Sequence, residues 1–254
     1  MKIVVLMKQV PDTWGERKLD SVTGWVERSG DNVIDEINER ALEVALSYKD
    51  TDKSAEVVVM TMAPDNVSES IKKALAMGCD SAVHITDAAL AGADAAYTAA
   101  VLSAALKELG PDLVIAGNES TDGRGGIVPS MIAEHLDVAH LGMLGNISIT
   151  NASVAGIRLL EDGTQEVHAA LPAVISVNES NPDARFPSFK GIMGAKKKPV
   201  STKSVAELSL SKPKGSTSIL SATARPARTA GTKITDDGTA GEQLAEFLVS
   251  NRLI

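Results

Sequence analysis

The chain has 254 residues, a formal net charge of −8 and 44% hydrophobic content, enough to bury one sizeable core with an appendage rather than two full domains. The acidic balance disfavours nucleic-acid binding, and only the run Lys196, Lys197, Lys198 concentrates positive charge. With Cys79 as the only cysteine no internal disulfide can form, and His84, His135, His140 and His168 stand at no metal-ligand spacing, so neither a metal nor a redox thiol is expected. Aromatics are 3% of the chain, which leaves backbone, small polar side chains and aliphatic walls to hold any cofactor.

Lys2 to Met7 is a continuous apolar run that passes at once into Lys8, Gln9, Pro11 and Asp12. It is too short for a signal peptide or a membrane span, so no membrane insertion and a cytoplasmic location are expected. The same run, Val57 to Met62 and Leu113 to Ala116 have the β-branched content of strands buried on both faces, with Ser81 to Ile85 a weaker fourth. Between them, Asn32 is placed to cap a helix whose Ile34, Ile37, Ala41, Val44, Ala45 and Tyr48 share one face. A second helix fits Val67 to Met77 with Gly78 as its stop, and a third fits Asp94 to about Leu109. This alternation predicts an α/β fold, a doubly wound and mostly parallel sheet with helices on both faces.

After about Asn146 the pattern changes. Ile147 to Thr150, Gly156 to Leu160 and Thr164 to Ala170 are short strand-like runs separated by turn residues, which predicts antiparallel hairpin additions. Leu171 to Val177 is a further buried strand. Asn178 to Pro199 is expected to be a long loop, and loops of that length usually have a use. The nucleotide-binding α/β domain is expected to span 1–199. Residues 200–254 are expected to be an extended C-terminal arm in which only Glu242 to Val249 is helical, with Leu244, Phe247 and Leu248 on one side. An arm that short buries no core of its own and is expected to lie along a partner.

Gly117 to Pro129 carries the most chemistry. It follows a strand and precedes a helix, and in doubly wound sheets ligands bind beyond the carboxyl ends of strands, where a helix N-terminus offers unpaired N–H groups to an anion. Gly123, Gly125 and Gly126 permit close approach of the backbone to a phosphate, and Arg124 is placed to pair with it. The spacing is neither a Walker loop nor a dinucleotide fingerprint, which counts against a P-loop hydrolase and a nicotinamide dehydrogenase. A turn that only reverses the chain is the alternative. Asp35, near a helix start, and Asp122, in a turn, have structural readings as caps or dipole partners beside their functional ones.

Several ordered motifs resemble the beta subunit of electron-transfer flavoproteins. They are Lys8-Gln9-Val10-Pro11-Asp12, Asn32 to Glu36, Ala74 to Gly78, the hairpin from Gly156 through Arg158, Glu161, Asp162, Gly163 and Gln165 to Pro172, Val174 and Ile175, and Asn181-Pro182 through Lys196-Lys197-Lys198. Within the hairpin signature, Ser176 departs from the family pattern. The resemblance implies an adenine-nucleotide-binding fold and an electron carrier subunit without catalytic residues of its own. It implies a heterodimer with an alpha subunit that holds most of the FAD, and a structural AMP in the beta subunit. Leu6, Asn32, Val33, Ile34, Asp35 and Met62 would surround the adenosine, and Asp122, Gly123, Arg124, Gly125, Gly126, Ile127, Val128, Pro129 and Ser130 would hold the phosphate.

AMP-binding members have Asn-Gln-Thr-Gly where this chain has Gly126-Ile127-Val128-Pro129. Electron-bifurcating relatives place a second FAD in the same cavity, with a loop that shares Asp122-Gly123, Val128 and Ile132-Ala133-Glu134. AMP, a second FAD and an unoccupied site therefore all stay open. The resemblance also implies that 181–198 docks partner dehydrogenases of the acyl-CoA type, whose electrons pass on to a quinone oxidoreductase. Phe189 stands at the anchor position, with Phe186, Ile192 and Met193 beside it, and Lys196, Lys197 and Lys198 either steer acidic partners or are a solvated charge run. Burial of both phenylalanines in the core is the competing reading.

Overall fold

The β-branched runs form the centre of a nine-stranded sheet in a computed structural model that describes residues 1–15, 17–208, 210, 217–223 and 225–254. In chain order the elements are β1 (Lys2–Leu6), β2 (Gln9–Pro11), β3 (Asn32–Ile34), α1 (Glu36–Thr51), β4 (Glu56–Met62), α2 (Ser68–Met77), β5 (Ser81–Ile85), α3 (Ala95–Leu109), β6 (Leu113–Gly117) and α4 (Val128–Leu136). They continue as β7 (Ala139–Ile149), β8 (Ser153–Leu160), β9 (Gly163–Ala170), β10 (Ala173–Val177), α5 (Phe189–Ala195), β11 (Val200–Lys203) and α6 (Ala240–Ser250).

The sheet order is β11-β5-β4-β1-β6-β10-β7-β8-β9, parallel from β11 to β7 and antiparallel from β7 to β9. Ile3, Val4 and Val5 in β1 are wholly buried, because helices cover both faces. One face packs on Ile37, Ala41 and Leu42 of α1 and Ile71 and Leu75 of α2, the other on Val101, Leu102 and Leu106 of α3 and Ile132 of α4. Helix α2 stops at Gly78, and α3 runs from Asp94, whose carboxylate accepts from Tyr97 N–H, to a left-handed Gly110. The doubly wound reading therefore holds, hairpin additions included.

Chain order reverses at β1. The path moves outward through β4 and β5, then α3 returns it to β6 on the other side of β1. The carboxyl ends of β1 and β6 thus bracket the switch point, where loops diverge and leave a crevice. Helix α1 closes tightly over it because Gly117 has no side chain: a Cβ there would stand 2.5 Å from Ile37 Cγ2 and 2.6 Å from Asn38 Nδ2.

Four local expectations change. Asn32 does not start a helix, since residues 32–34 pair antiparallel with 9–11 and α1 begins only at Glu36. Strand β7 starts at Ala139, well before the expected Ile147. Its irregular course, with left-handed Met143 and Asn146 and a register shift between Gly145 and Ser148, hides any alternation. The loop after β10 contains α5, opened by Ser188, whose hydroxyl accepts from Gly191 N–H. Residues 200–203, expected in the arm, pair with β5 as an edge strand, and Val205 and Leu208 are buried.

The described chain forms two compact units, Met1–Leu220 and Ser221–Ile254. Ser209, 211–216 and Ala224, which fall within the expected arm, lie outside the described residues. In the second unit α6 buries none of its residues, and Leu244 and Phe247 are exposed. No described helix is long and apolar enough to cross a membrane.

Helix α5 rests on α2 at Gly191, where a Cβ would overlap the Ala76 carbonyl oxygen. Gly191→Ala is expected to lift α5 from α2 and cost about 1–3 kcal/mol. Urea denaturation reads the loss, and hydrogen exchange should rise at 189–195 before it rises in β1 or β4.

Candidate functional site

The crevice is organised by one buried carboxylate. The Asp122 side chain is 1% exposed, and its oxygens accept from Lys8 Nζ at 2.7 Å and Arg28 Nη2 at 2.5 Å. Gly123 N–H donates to it at 2.6 Å. Burial alone would raise its pKa, but the hydrogen bond and charge of Lys8, with Ser120 and Arg28, outweigh burial and hold the carboxyl well below the usual range. Asp122 therefore does not cap α4. It anchors the loop after β6 to the chain leaving β1 and to the β2–β3 connection.

Asp35 occupies the N-cap position of α1 without capping it. One carboxylate oxygen instead accepts from Thr121 N–H at 2.8 Å and from Thr121 Oγ1 at 3.2 Å, while Oδ1 is shielded and unpartnered. Burial raises its pKa against those hydrogen bonds, and the neighbouring Asp122 charge adds to the rise. Asn32 uses its amide nitrogen on Arg28 O and Gly30 O, at 3.0 and 2.7 Å, and leaves its own Oδ1 shielded without a partner.

Beyond Asp122 the loop turns outward. Gly123 N–H is engaged internally, and the Arg124 guanidinium lies on Glu119 Oε1 at 3.1 Å, an exposed pair of little strength. Arg124 and Gly126 have positive φ values of 49° and 62°. Among the described residues, the N–H groups of Gly125, Gly126, Ile127 and Val128 have no acceptor, and no side chain caps α4. Gly125, Gly126 and Ile127 are exposed, Pro129 sits in the first turn of α4 and is buried, and Ser130 turns its hydroxyl back to Ile127 O at 2.8 Å.

Leu6 and Met62 end the neighbouring strands β1 and β4 and meet the same core face. Ile34 turns into the opposite core face, and Val33 is partly exposed. A cavity of about 520 Å³ is lined by Thr13, Arg17, Glu36, Arg40, Thr121 and Arg124 among others. Of the residues expected to bind nucleotide it includes Arg124 alone. Sequence reasoning named the loop but missed Arg17, Arg28, Ser120 and Thr121. Lys8 lay inside a quoted motif, yet nothing local disclosed its partner 114 positions away.

The expected docking residues form a second surface. Phe186 is 94% and Phe189 81% exposed, with Ile192 and Met193 also outside, so neither phenylalanine belongs to the core. The segment is fastened from below. Arg185 forks onto Glu43 at 2.8 Å through Nε and Nη2 and reaches Asp50 at 2.9 Å, while Arg40 meets Asp183 at 2.5 Å and the Asn181 carbonyl. Lys196 and Lys197 are exposed. Lys198 turns inward, donating to Leu75 O at 2.9 Å and Cys79 O at 2.5 Å at the end of α2, so it is a helix-capping cation. Cys79 is buried and its thiol is pushed up to about 12, chiefly by burial, which leaves it no nucleophile. Among the described residues no cluster of His, Cys, Asp or Glu could hold a metal ion.

Residues 23–208 match the electron transfer flavoprotein domain. The chain is 46% identical over 264 residues to the electron transfer flavoprotein subunit beta of Mycobacterium tuberculosis, covering 99% of each chain. It is 45% identical to that of Mycobacterium leprae, again over 99% of each. The Caffeyl-CoA reductase-Etf complex subunit CarD of Acetobacterium woodii is 35% identical, over 98% of this chain and 97% of its own. With the doubly wound fold and the motif order in agreement, this chain belongs to the electron transfer flavoprotein family, among its beta subunits.

Proposed function

We propose that this chain is the beta subunit of a cytoplasmic, heterodimeric electron carrier that holds AMP at the loop opening α4 and docks acyl-CoA-type dehydrogenases through the segment around Phe189. The observation that carries the reading is the run of unpartnered N–H groups from Gly125 to Val128. They lie at the mouth of an uncapped helix at the switch point, in a loop pinned from behind by Asp122. Phosphate recognition then rests on backbone dipoles, with Arg124 available once it leaves its weak pair with Glu119.

FAD, held mainly by the alpha subunit, supplies the electron-carrying chemistry, and electrons pass on to a membrane quinone oxidoreductase. No side chain of this chain is assigned bond chemistry. A second FAD in place of AMP is the competing reading, supported by the loop residues Asp122-Gly123, Val128 and Ile132-Ala133-Glu134 that resemble those of electron-bifurcating members. Denaturing the purified heterodimer and counting what it releases separates the two. One FAD and one AMP are expected; two FAD and no AMP would establish the alternative, and a single FAD alone would overturn the loop assignment.

A Cβ at Gly125 meets nothing within 4 Å, so Gly125→Val should fold normally while standing in the path of a phosphate. Loss of charge-assisted hydrogen bonds predicts AMP retention lowered about tenfold or more, at unchanged melting temperature. Phe189→Ala removes an exposed aromatic from a fastened platform. It should leave heterodimer assembly intact but raise the apparent KM for reduced dehydrogenase about tenfold, corresponding to about 1–2 kcal/mol of docking energy.

The two aspartates should respond to pH with opposite signs. The depressed Asp122 carboxyl contributes stability above the ordinary Asp range, about 4, and that contribution is lost as pH falls toward its lower folded value. Asp122→Asn should therefore cost about 1–3 kcal/mol at pH 7, with the gap to wild type closing below pH 4. The raised Asp35 favours its protonated form, so its contribution is present at low pH and lost as pH rises. Asp35→Asn should match or exceed wild-type stability at pH 7. Urea titrations across pH 3–7 read both.

A further inference from the structure

Three segments remote in sequence meet at two glycines that nothing in the nucleotide or docking regions uses. The turn from Leu19 to Val26 is a tight hairpin: Leu19 and Val26 bridge, Asp20 N–H donates to Trp25 O, and the Asp20 carboxylate accepts from Val22 N–H, Thr23 N–H and Thr23 Oγ1 at 3.1, 2.7 and 2.8 Å. At its tip Gly24 has φ 70°, and a Cβ there would stand 2.6 Å from Ile219 Cγ2. The next residue, Trp25, lies so close over Gly92 that a Cβ on that glycine would overlap the indole, and Gly92 also has a positive φ, 73°. Asp94, two residues on, caps α3 through Oδ1 and accepts from Thr217 N–H through Oδ2 at 3.2 Å. Residues 217–220 therefore lie against the hairpin on one side and the start of α3 on the other, immediately before the second compact unit begins at Ser221.

We infer that Thr217–Leu220 are a clip that fixes the root of the C-terminal arm on the nucleotide-binding unit and thereby raises the affinity of this chain for its alpha subunit. The inference rests on the reading that the arm engages that subunit. The arm's helix supports the reading, because Leu244, Phe247 and Val249 stay exposed and need an apolar surface. A tether whose root is fixed searches a smaller volume than one hinged freely, so its second contact forms at a higher effective concentration with no added contact area. Two positive-φ glycines are what such a clip requires. Any side chain at either position would meet both backbone strain and the ring or branched chain packed over it.

The test uses full-length chains and the separately purified alpha subunit, with the dissociation constant measured by titration calorimetry. Ile219→Ser opens the clip from the arm side, Gly24→Ala opens it from the hairpin side and leaves Ile219 in place, and Phe247→Asp disables the arm itself. In a Trp14→Phe background, Trp25 fluorescence reports whether the clip has opened. The expected result is about tenfold weaker association for both Ile219→Ser and Gly24→Ala, with unchanged AMP content. Wild-type affinity in both clip variants beside a weakened Phe247→Asp would overturn the clip and leave the arm reading standing. Weakening by Ile219→Ser alone would also overturn it, since Ile219 would then be a direct contact. No effect from Phe247→Asp would instead remove the arm reading, and the clip with it.

Discussion

The geometry of the crevice depends on the burial of the Asp122 carboxylate. A charge taken out of water must be compensated where it lies, and here Lys8 from the exit of β1 and Arg28 from the connection into β3 converge on it. One residue earlier, Thr121 is held by Asp35 at the start of α1. Two consecutive loop residues therefore bind together segments that the sheet topology alone would let diverge. Without that tie, the β6–α4 connection would be a surface loop hinged at both ends.

On the proposed reading, an acidic chain presents its anion site through backbone rather than through side-chain cations. Lys8 and Arg28 face inward to Asp122, Arg124 turns sideways to Glu119, and Arg17 donates to the Thr121 carbonyl. What faces outward is neutral backbone, whose donors lose less hydration than an ammonium or guanidinium when a ligand arrives and whose direction is set by the start of α4. Gly126, Ile127, Val128 and Pro129 offer no amide or hydroxyl side chain, so backbone is what they present. The anion recognition proposed there asks little of side-chain identity beyond the glycines and the proline that begins the helix.

The parts legible in sequence are those whose causes are local. Double-faced strands show as unbroken β-branched runs, α2 and α3 end at glycines whose backbones need the freedom, and the Gly117–Pro129 loop stands out because strand, glycines and helix follow one another directly. The missing parts have distant causes. Asn32 has the chemistry of a cap, yet its backbone is claimed by pairing with Pro11. Asp122 reads as a turn residue because Lys8 lies on another strand's exit. Helix α5 was hidden by Gly191 and Gly194, poor helix formers in isolation, where Gly191 is needed only for its contact with Ala76. Strand β11 has too little apolar pattern to be read, and its place comes from the open edge of β5.

The segment bearing Phe189 leaves the sheet from β10, in its interior, and re-enters it as β11 at one edge, with Arg185, Arg40 and Lys198 clamping its course between. Mechanically it is a bridge with both abutments set in the same slab. A load applied at the phenylalanine is shared across the width of the sheet, so the platform has little room to recoil. Under the proposed docking role, a visiting protein would engage and depart without reshaping it.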